Sequence, residues 1–386
     1  MNPSAIAEIY LDNNSTTPCD PRVIDAILPF FHLYFGNPSS QHLAGQRAAR
    51  AIELARTQVE RLIGAASGEI IFTGGSTESN NLAILGIARS HSGNRKKIIT
   101  FKSEHKAILN IGKQLEQEGF KVVLLDVDSK GRIDVDALAT NLDECTLLVS
   151  AQLANNEVGT IQPLRQIAEL AHEYGAIVHT DATQAVGKIP VDVDELDVDL
   201  MSISAHKFYG PKGVGALFIR GGPRAIPIAP LGYGGGQEWE LRSGTHNVPA
   251  IVGFGEAARI SAEELEGEMV RIAALRDRLE QLLQSYIPQI EIHGDIQQRL
   301  PGTSSLYLPG TDAEALLANV PELMLSTGAA CNSGAPEPSY VLLALGLSWQ
   351  RAYSTLRIGV GRFNTEDEIS TAAKLIGEAY YQVIQK

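Results

Sequence analysis

The sequence predicts an α/β protein: a mostly parallel, seven-stranded sheet covered by helices on both faces, followed by a smaller α+β unit. Three observations carry this. Short apolar runs alternate with helical patterns through the first 250 residues. After Val248 the texture changes to one long helix with few strands behind it. And 386 residues exceed what a single core of roughly 100–200 residues organises. A hydrophobic content of 44% against 20% charged residues supports packed cores and excludes disorder as the main state.

The strands read as continuous apolar runs, which is what burial on both faces requires. In order they are Glu69–Thr73 (EIIFT), Lys97–Phe101 (KIITF), Lys121–Asp126 (KVVLLD), Thr146–Ala151 (TLLVSA), Ala176–Asp181 (AIVHTD), Val198–Ser204 and Gly215–Arg220 (GALFIR). Helical spacing marks the accompanying segments, as at Ile52, Ala55, Val59, Leu62 and Ile63. A sheet wound in this way gathers ligands at the carboxyl ends of its strands. Beyond Val248 a helix runs from about Ala250 to Tyr286, rich in Glu, Arg and Ala. Strands follow at Ile290–His293, Ser304–Leu308 and Thr355–Val360, and a helix from Thr365 to about Ile384 closes the chain. There is no internal repeat. Two Gly/Pro-rich stretches, Leu231–Asn247 and Ser326–Pro338, interrupt the pattern, and loops this long in a compact chain are functional or mobile.

No apolar run reaches the ~18 residues of a membrane span. The opening MNPSAIAEIYLDNN has neither the basic nor the apolar region of a secretory signal. Lys and Arg total 32 against 45 Asp and Glu, and a net charge of −13 argues against direct nucleic-acid binding through a basic face. Three cysteines, Cys19, Cys145 and Cys331, are too few and too scattered for a disulfide framework or a thiolate metal cage. A soluble, cytoplasmic protein without a metal is expected.

The most informative stretch is MSISAHKFYGPKGVGALFIR, Met201–Arg220. A strand runs into Ser204, Ala205, His206 and Lys207, and a Gly/Pro turn leads to the next strand. A His-Lys pair beside a turn is ordinarily a surface feature, but this one stands at the carboxyl end of a strand among hydroxyl and imidazole donors. A lysine there can form a Schiff base with an aldehyde while its neighbours hold a phosphate, and pyridoxal phosphate needs both. That cofactor also needs a carboxylate to keep its pyridine nitrogen protonated. HTDATQAVG supplies Asp181 at the end of an apolar strand, with Gln184 close behind; alone, Asp181 would read as a helix cap. The phosphate wants a helix N-terminus with free amides. FTGGSTESNNLAILGIA supplies a strand, Gly74 and Gly75, then Ser76 and Thr77 opening a helix. Three such demands met in one chain make coincidence a poor account.

Further stretches run through nearly the whole chain in order: YLDNNSTTP (Tyr10–Pro18), FGNPSSQH (Phe35–His42), SEHKAIL (Ser103–Leu109), NNEVGTIQP (Asn155–Pro163), GGGQE, RSGTHN, STGAACNSG, EPSYVLLALG and LRIGVGRF. With them the chain resembles the NifS/IscS-like cysteine desulfurases, pyridoxal-phosphate enzymes of fold type I in the class-V aminotransferase superfamily. The resemblance implies a large cofactor-binding domain over 16–259. It implies a small domain from 1–15 and 260–386 that carries the mobile cysteine loop, about 326–338. By the same resemblance Lys207 carries the cofactor, Ser76, Thr77, Ser204 and His206 bind its phosphate, and Thr245 reaches the phosphate of the other subunit in a homodimer. Asp181 pairs with the pyridine nitrogen, Gln184 and Asn156 contact the ring oxygen and its surroundings, and His105 stacks on the ring and helps to move protons. Arg357 grips the substrate carboxylate, with Asn156 at the substrate's edge.

Cys331 separates the possible reactions. Cys19 and Cys145 are read as inert, buried small hydrophobes. Cys331 stands instead among Gly328, Gly334, Pro336 and Pro338, where regular structure is not expected. In the resembling enzymes this position attacks the sulfur of cysteine and becomes a persulfide. Selenocysteine lyases and their relatives carry the cysteine in R-x-G-x-x-C-A-x-P; here Asn332 follows it, so the long-loop subgroup is nearer. The implied function is conversion of L-cysteine to L-alanine with sulfur passed to Cys331. From there it goes to iron–sulfur scaffold proteins or thiolation enzymes. The alternatives are a selenocysteine lyase or another class-V aminotransferase reaction. Two departures stand out. Asn13 and Asn14 replace the aromatic or small residues of other members. The sequence also stops at Lys386, where some members continue into a tail that contacts the scaffold.

Overall fold

The computed structural model describes residues 8–327 and 337–385; Cys331 and most of its loop lie outside the described residues. The main sheet contains β1 (Ile70–Thr73), β2 (Lys97–Phe101), β3 (Lys121–Leu125), β4 (Thr146–Ser150), β5 (Ile177–Asp181), β6 (Leu200–Ser204) and β7 (Gly215–Ile219). Its spatial order is β1-β7-β6-β5-β4-β2-β3. Strand β7 is antiparallel to both of its neighbours and every other pairing is parallel, so six of the seven strands point the same way.

Burial explains the continuous apolar strands. In β1, Ile70 and Phe72 face one core while Ile71 faces the other. The first core is closed by α1 (Leu43–Leu62) and the opposite face by α2 (Ser76–Ser90) and α3 (Lys106–Gln117). Strand β3 is the exception: it lies at the sheet edge, and Lys121 and Leu124 are exposed.

The long helix α4 (Val248–Tyr286) joins two cores. Asn247 caps it, accepting from the Ala250 N–H at 3.3 Å, and Pro249 occupies its first turn. Its Ile251, Phe254 and Ala258 pack into the first core, whereas Leu275, Leu279 and Leu283 pack into another with α5 (Glu366–Ile384). The latter core backs an antiparallel sheet of β8 (Glu291–His293), β9 (Thr303–Tyr307), β10 (Ser326–Thr327) and β11 (Thr355–Gly359), ordered β10-β11-β9-β8. A parallel pair of two-residue strands, Ile9–Tyr10 with Leu323–Met324, brings the N-terminal segment beside this sheet.

An ion-pair hub joins the two parts. Arg362 donates to Asp20 at 2.8 Å and to both oxygens of Glu268, and its guanidinium lies 4.2 Å from the Tyr209 ring centre. Asp20 also accepts from Arg22, and that bond chiefly holds its carboxyl far below the ordinary range. The expectation of two buried cysteines is corrected: Cys19 is half-buried and Cys145 is exposed. Cys145 sits in the turn entering β4, where its N–H donates to Asp143 Oδ1 at 2.9 Å, and a turn closed on itself at the surface has no core to offer a thiol.

Candidate active site

Five strands of the main sheet deliver residues to one place because their carboxyl ends point the same way. Strand β1 leads into Gly74–Gly75 and α2; β2 into Ser103–His105; β4 into the segment through Asn156; β5 into Asp181 and Gln184; β6 into Ser204–Lys207. A cavity of about 300 Å³ is lined by Ser76, Thr77, His105, Asn156, Asp181, Gln184, His206, Lys207 and Arg357, with Asn14 and Gln152. Ser76, Thr77 and His206 also line an adjoining cavity of about 630 Å³ that takes in Gly74, Gly75, Ser204 and Lys212.

Lys207 Nζ donates to the backbone carbonyls of Asn14 and Ser15 at 2.8 and 2.6 Å. Burial, and then the Arg357 cation, push its pKa down to about 8. Burial and the charge of Lys207 push His206 down to about 4, so it is a neutral imidazole; its Nδ1 is 3.0 Å from Thr16 Oγ1. Asp181 is 6% exposed and accepts from Asn80 Nδ2 at 2.8 Å and from the Thr183 N–H at 3.0 Å, which fixes the carboxylate in place. His105 is the N-cap of α3: its Nδ1 accepts from the Ala107 N–H at 3.1 Å, and burial lowers its pKa, so its ring proton sits on Nε2. Arg357, on β11, donates to Asp12 Oδ1 at 2.9 Å and its Nε has no partner among the described residues.

The phosphate end is built from backbone. Gly75 is the N-cap of α2, provides no side-chain cap, and has φ +145°, a conformation that L side chains rarely adopt. The first amides of α2 are therefore left for an anion. Pyridoxal phosphate fits this donor set. An amine of lowered pKa, a fixed carboxylate and an open helix N-terminus are what its aldehyde, ring nitrogen and phosphate ask for. A larger groove of about 860 Å³ along α3 and β3 has lysines and aliphatic side chains in its lining but no such convergent set.

Thr245 is exposed in the loop before α4 and does not line the cavity of its own chain. Cys331 lies outside the described residues. Sequence reasoning assigned no role to Asp12, Asn80, Glu104 or Lys188. Glu104 is fully buried: its Oε1 accepts from the Gln152 N–H at 2.7 Å, and burial holds its carboxyl well above the ordinary range. It stands beside His105 in SEHKAIL, so the motif offered a position for it but no chemical demand. Asn14 proves to be a tie between the two parts, donating to Thr303 Oγ1 at 2.9 Å and to the Asn156 carbonyl at 3.2 Å.

Comparison with known proteins places the architecture in context. The class-V aminotransferase family profile matches residues 9–371. The "Cysteine desulfurase IscS" of Rickettsia typhi (strain ATCC VR-144 / Wilmington) is 48% identical over 369 residues, covering 95% of this chain and 90% of that protein. A solved NifS-like protein superposes with a TM-score of 0.91 at 38% identity, covering 97% of this chain and all of that one. The structure described as "SspA in complex with cysteine" superposes with a TM-score of 0.81 at 34% identity, over 92% of this chain and 100% of that one.

Proposed function

The chain belongs to the class-V aminotransferase family and to its cysteine desulfurases, and on that premise we propose that it converts L-cysteine to L-alanine in the cytoplasm, as a homodimer. The sulfur is left on Cys331 as a persulfide for iron–sulfur scaffold proteins or thiolation enzymes. The observation that supports this is the convergence of Lys207, Asp181, His105 and Arg357 on one cavity beside an uncapped helix N-terminus. Among the described residues no helix is long and apolar enough to cross a membrane.

Pyridoxal phosphate, when bound, supplies an aldehyde that captures amines and a protonated ring that draws electrons from the substrate's Cα. Ser76, Thr77, Ser204 and His206 hold the phosphate against the amides of α2, and the partner subunit's Thr245 completes that cradle. Asp181 keeps the ring nitrogen protonated, an assignment supported by the two donors that fix its carboxylate. Lys207, with a pKa near 8, is partly unprotonated at neutral pH; it would hold the aldehyde and, as a free amine, could take and return the proton at the substrate's Cα. Neutral His105 presents Nε2–H as a proton donor to the cavity. Arg357 binds the substrate carboxylate through donors that Asp12 leaves free, and Asn156 flanks it. The Cys331 thiolate then attacks the substrate sulfur: the S–S bond forms as the Cβ–S bond breaks. The electron pair stays with the carbon skeleton, which is protonated and leaves as alanine.

The test is the Cys331→Ala protein. It is expected to bind the cofactor and L-cysteine as the parent does, yet to release alanine at least a hundredfold more slowly and to retain no sulfur from labelled cysteine. Near-parental alanine release would overturn Cys331 as the acceptor and favour a lyase that needs no thiol.

A further inference from the structure

Lys188 has no part in the steps above. It is half-buried, and among the described residues its ammonium makes one hydrogen bond, to Gln184 Oε1 at 2.8 Å. Gln184 is 5% exposed and lines the cavity. Its Nε2 donates to the Asn14 carbonyl at 2.8 Å, and the same carbonyl accepts from Lys207 Nζ at 2.8 Å. A line of contacts thus runs from Lys188 through Gln184 and the Asn14 carbonyl to Lys207.

These partners decide which way the amide of Gln184 points. A backbone carbonyl only accepts, so nitrogen must face Asn14, and oxygen is left to face the amino group of Lys188. Of the two protons on Nε2, Asn14 takes one; the other has no partner among the described residues and is left for the cavity. Without Lys188 the buried Oε1 would lose its donor, and the amide, held by Asn14 alone, would no longer be fixed at both ends. Lys188 also borders a small void. Lined also by Asn13, Glu268 and Thr303, it measures about 30 Å³, room for little more than a water molecule.

We propose that Lys188 is a positioning residue which, by engaging Gln184 Oε1, makes Gln184 a fixed hydrogen-bond donor to the oxygen on the cofactor ring. The inference rests on the reading of the cavity as a pyridoxal-phosphate site. A donor beside that oxygen favours its ionised form, and an acceptor opposes it. Burial and the cations of Lys207 and Arg357 push Lys188 down to about 7; charged or neutral, its amino group keeps N–H bonds to give to Gln184 Oε1.

The experiment uses the holoenzyme with Lys188→Met and Lys188→Arg, and Lys188→Ala should the methionine stem pack poorly. Two quantities are read: the Kd for pyridoxal phosphate, and the pH midpoint of the visible absorbance change of the bound cofactor. Lys188→Met is expected to raise Kd about fivefold to tenfold, the scale of one lost hydrogen bond, and to move the midpoint upward. Lys188→Arg, which still donates, should leave both near the parent. In a Gln184→Ala background, Lys188→Met should add nothing, because its effect passes through Gln184. A parental Kd and midpoint in Lys188→Met, or an equal shift in the Gln184→Ala background, would overturn the role. A parent protein with no visible cofactor band would overturn the cofactor reading, and this inference with it.

Discussion

Lys207 shows how one residue's chemistry is set by what surrounds it. A lysine in water titrates near 10.4 and is almost wholly protonated at pH 7. Here the low-dielectric wall and the facing Arg357 disfavour the ammonium and bring the value to about 8. The neutral amine is the nucleophile, so its fraction grows as pH rises through about 8 and is nearly complete by 9. The rate at which the apoprotein acquires the visible band of bound pyridoxal phosphate should therefore rise with pH to a plateau above about 9. Lys207→Ala should give no such band. Stopped-flow mixing across pH 6.5–10 measures this, and a midpoint near 10 would refute the depressed pKa. Lys207 and Asp181 were legible in the sequence as candidates because Asp181 ends an apolar strand and Lys207 follows one by three residues, and a strand end is a position that local pattern reveals. Asp12 and Asn80 were not. Each matters only for a partner that the fold brings to it, such as Arg357 for Asp12 across 345 positions of chain, and nothing in the neighbouring residues encodes that partner. Lys188 stands four residues from its partner Gln184, but no chemical demand of the cofactor pointed to it.

At the scale of elements, the proposed phosphate end depends on two glycines, one in the turn between β1 and α2 and one in β7. Gly75 holds φ +145° at the start of α2, and Gly215 of β7 lies against it: a Cβ on Gly215 would stand 2.7 Å from Gly75 Cα and 2.5 Å from the Ile203 carbonyl oxygen. Both obstacles are backbone, which cannot swing aside as a side chain can. Gly215→Ala should push the turn before α2 out of place and cost about 1–3 kcal/mol of fit. Affinity for pyridoxal phosphate should accordingly fall tenfold or more, whereas pyridoxal, which lacks the phosphate, should bind almost as it does to the parent. Paired titrations of the two ligands decide this; equal losses for both would show that the glycines serve the sheet rather than the phosphate. All seven strands of the main sheet were legible to within about two residues: burial on both faces imposes an unbroken apolar run on six, and the edge strand β3 keeps an apolar run despite its exposed Lys121 and Leu124. The pairs Ile9–Tyr10 with Leu323–Met324, and the strand Ser326–Thr327, escaped notice because two residues cannot show a period. Nor did the sequence disclose that β7 runs against its neighbours; the short Gly/Pro turn between β6 and β7 carries that information only in hindsight.

For the whole molecule, the open question is how many chains make one site. The polar groups gathered at the cavity come from both parts of a single chain, with Asn14 and Arg357 on one side and Lys207 and Asp181 on the other. Thr245, by contrast, is exposed and does not line the cavity of its own chain. On the same loop Tyr233 is 89% exposed, and Phe35 and Leu43 are 75% and 78% exposed. A second copy related by twofold symmetry would cover such surface and carry each Thr245 to the other cavity. Complementation reads this directly. Lys207→Ala and Thr245→Ala proteins are each expected to be impaired as homodimers. In a mixed dimer one site inherits both defects while the other, with its own Lys207 and the neighbour's Thr245, is intact. Random reassociation of equal amounts makes half the dimers mixed, so about a quarter of all sites should regain full activity with L-cysteine. Size-exclusion chromatography with differently tagged chains confirms that exchange has occurred. Activity that stays at the mean of the two parents after exchange would mean that each chain completes its own site and that Thr245 acts, if at all, within it.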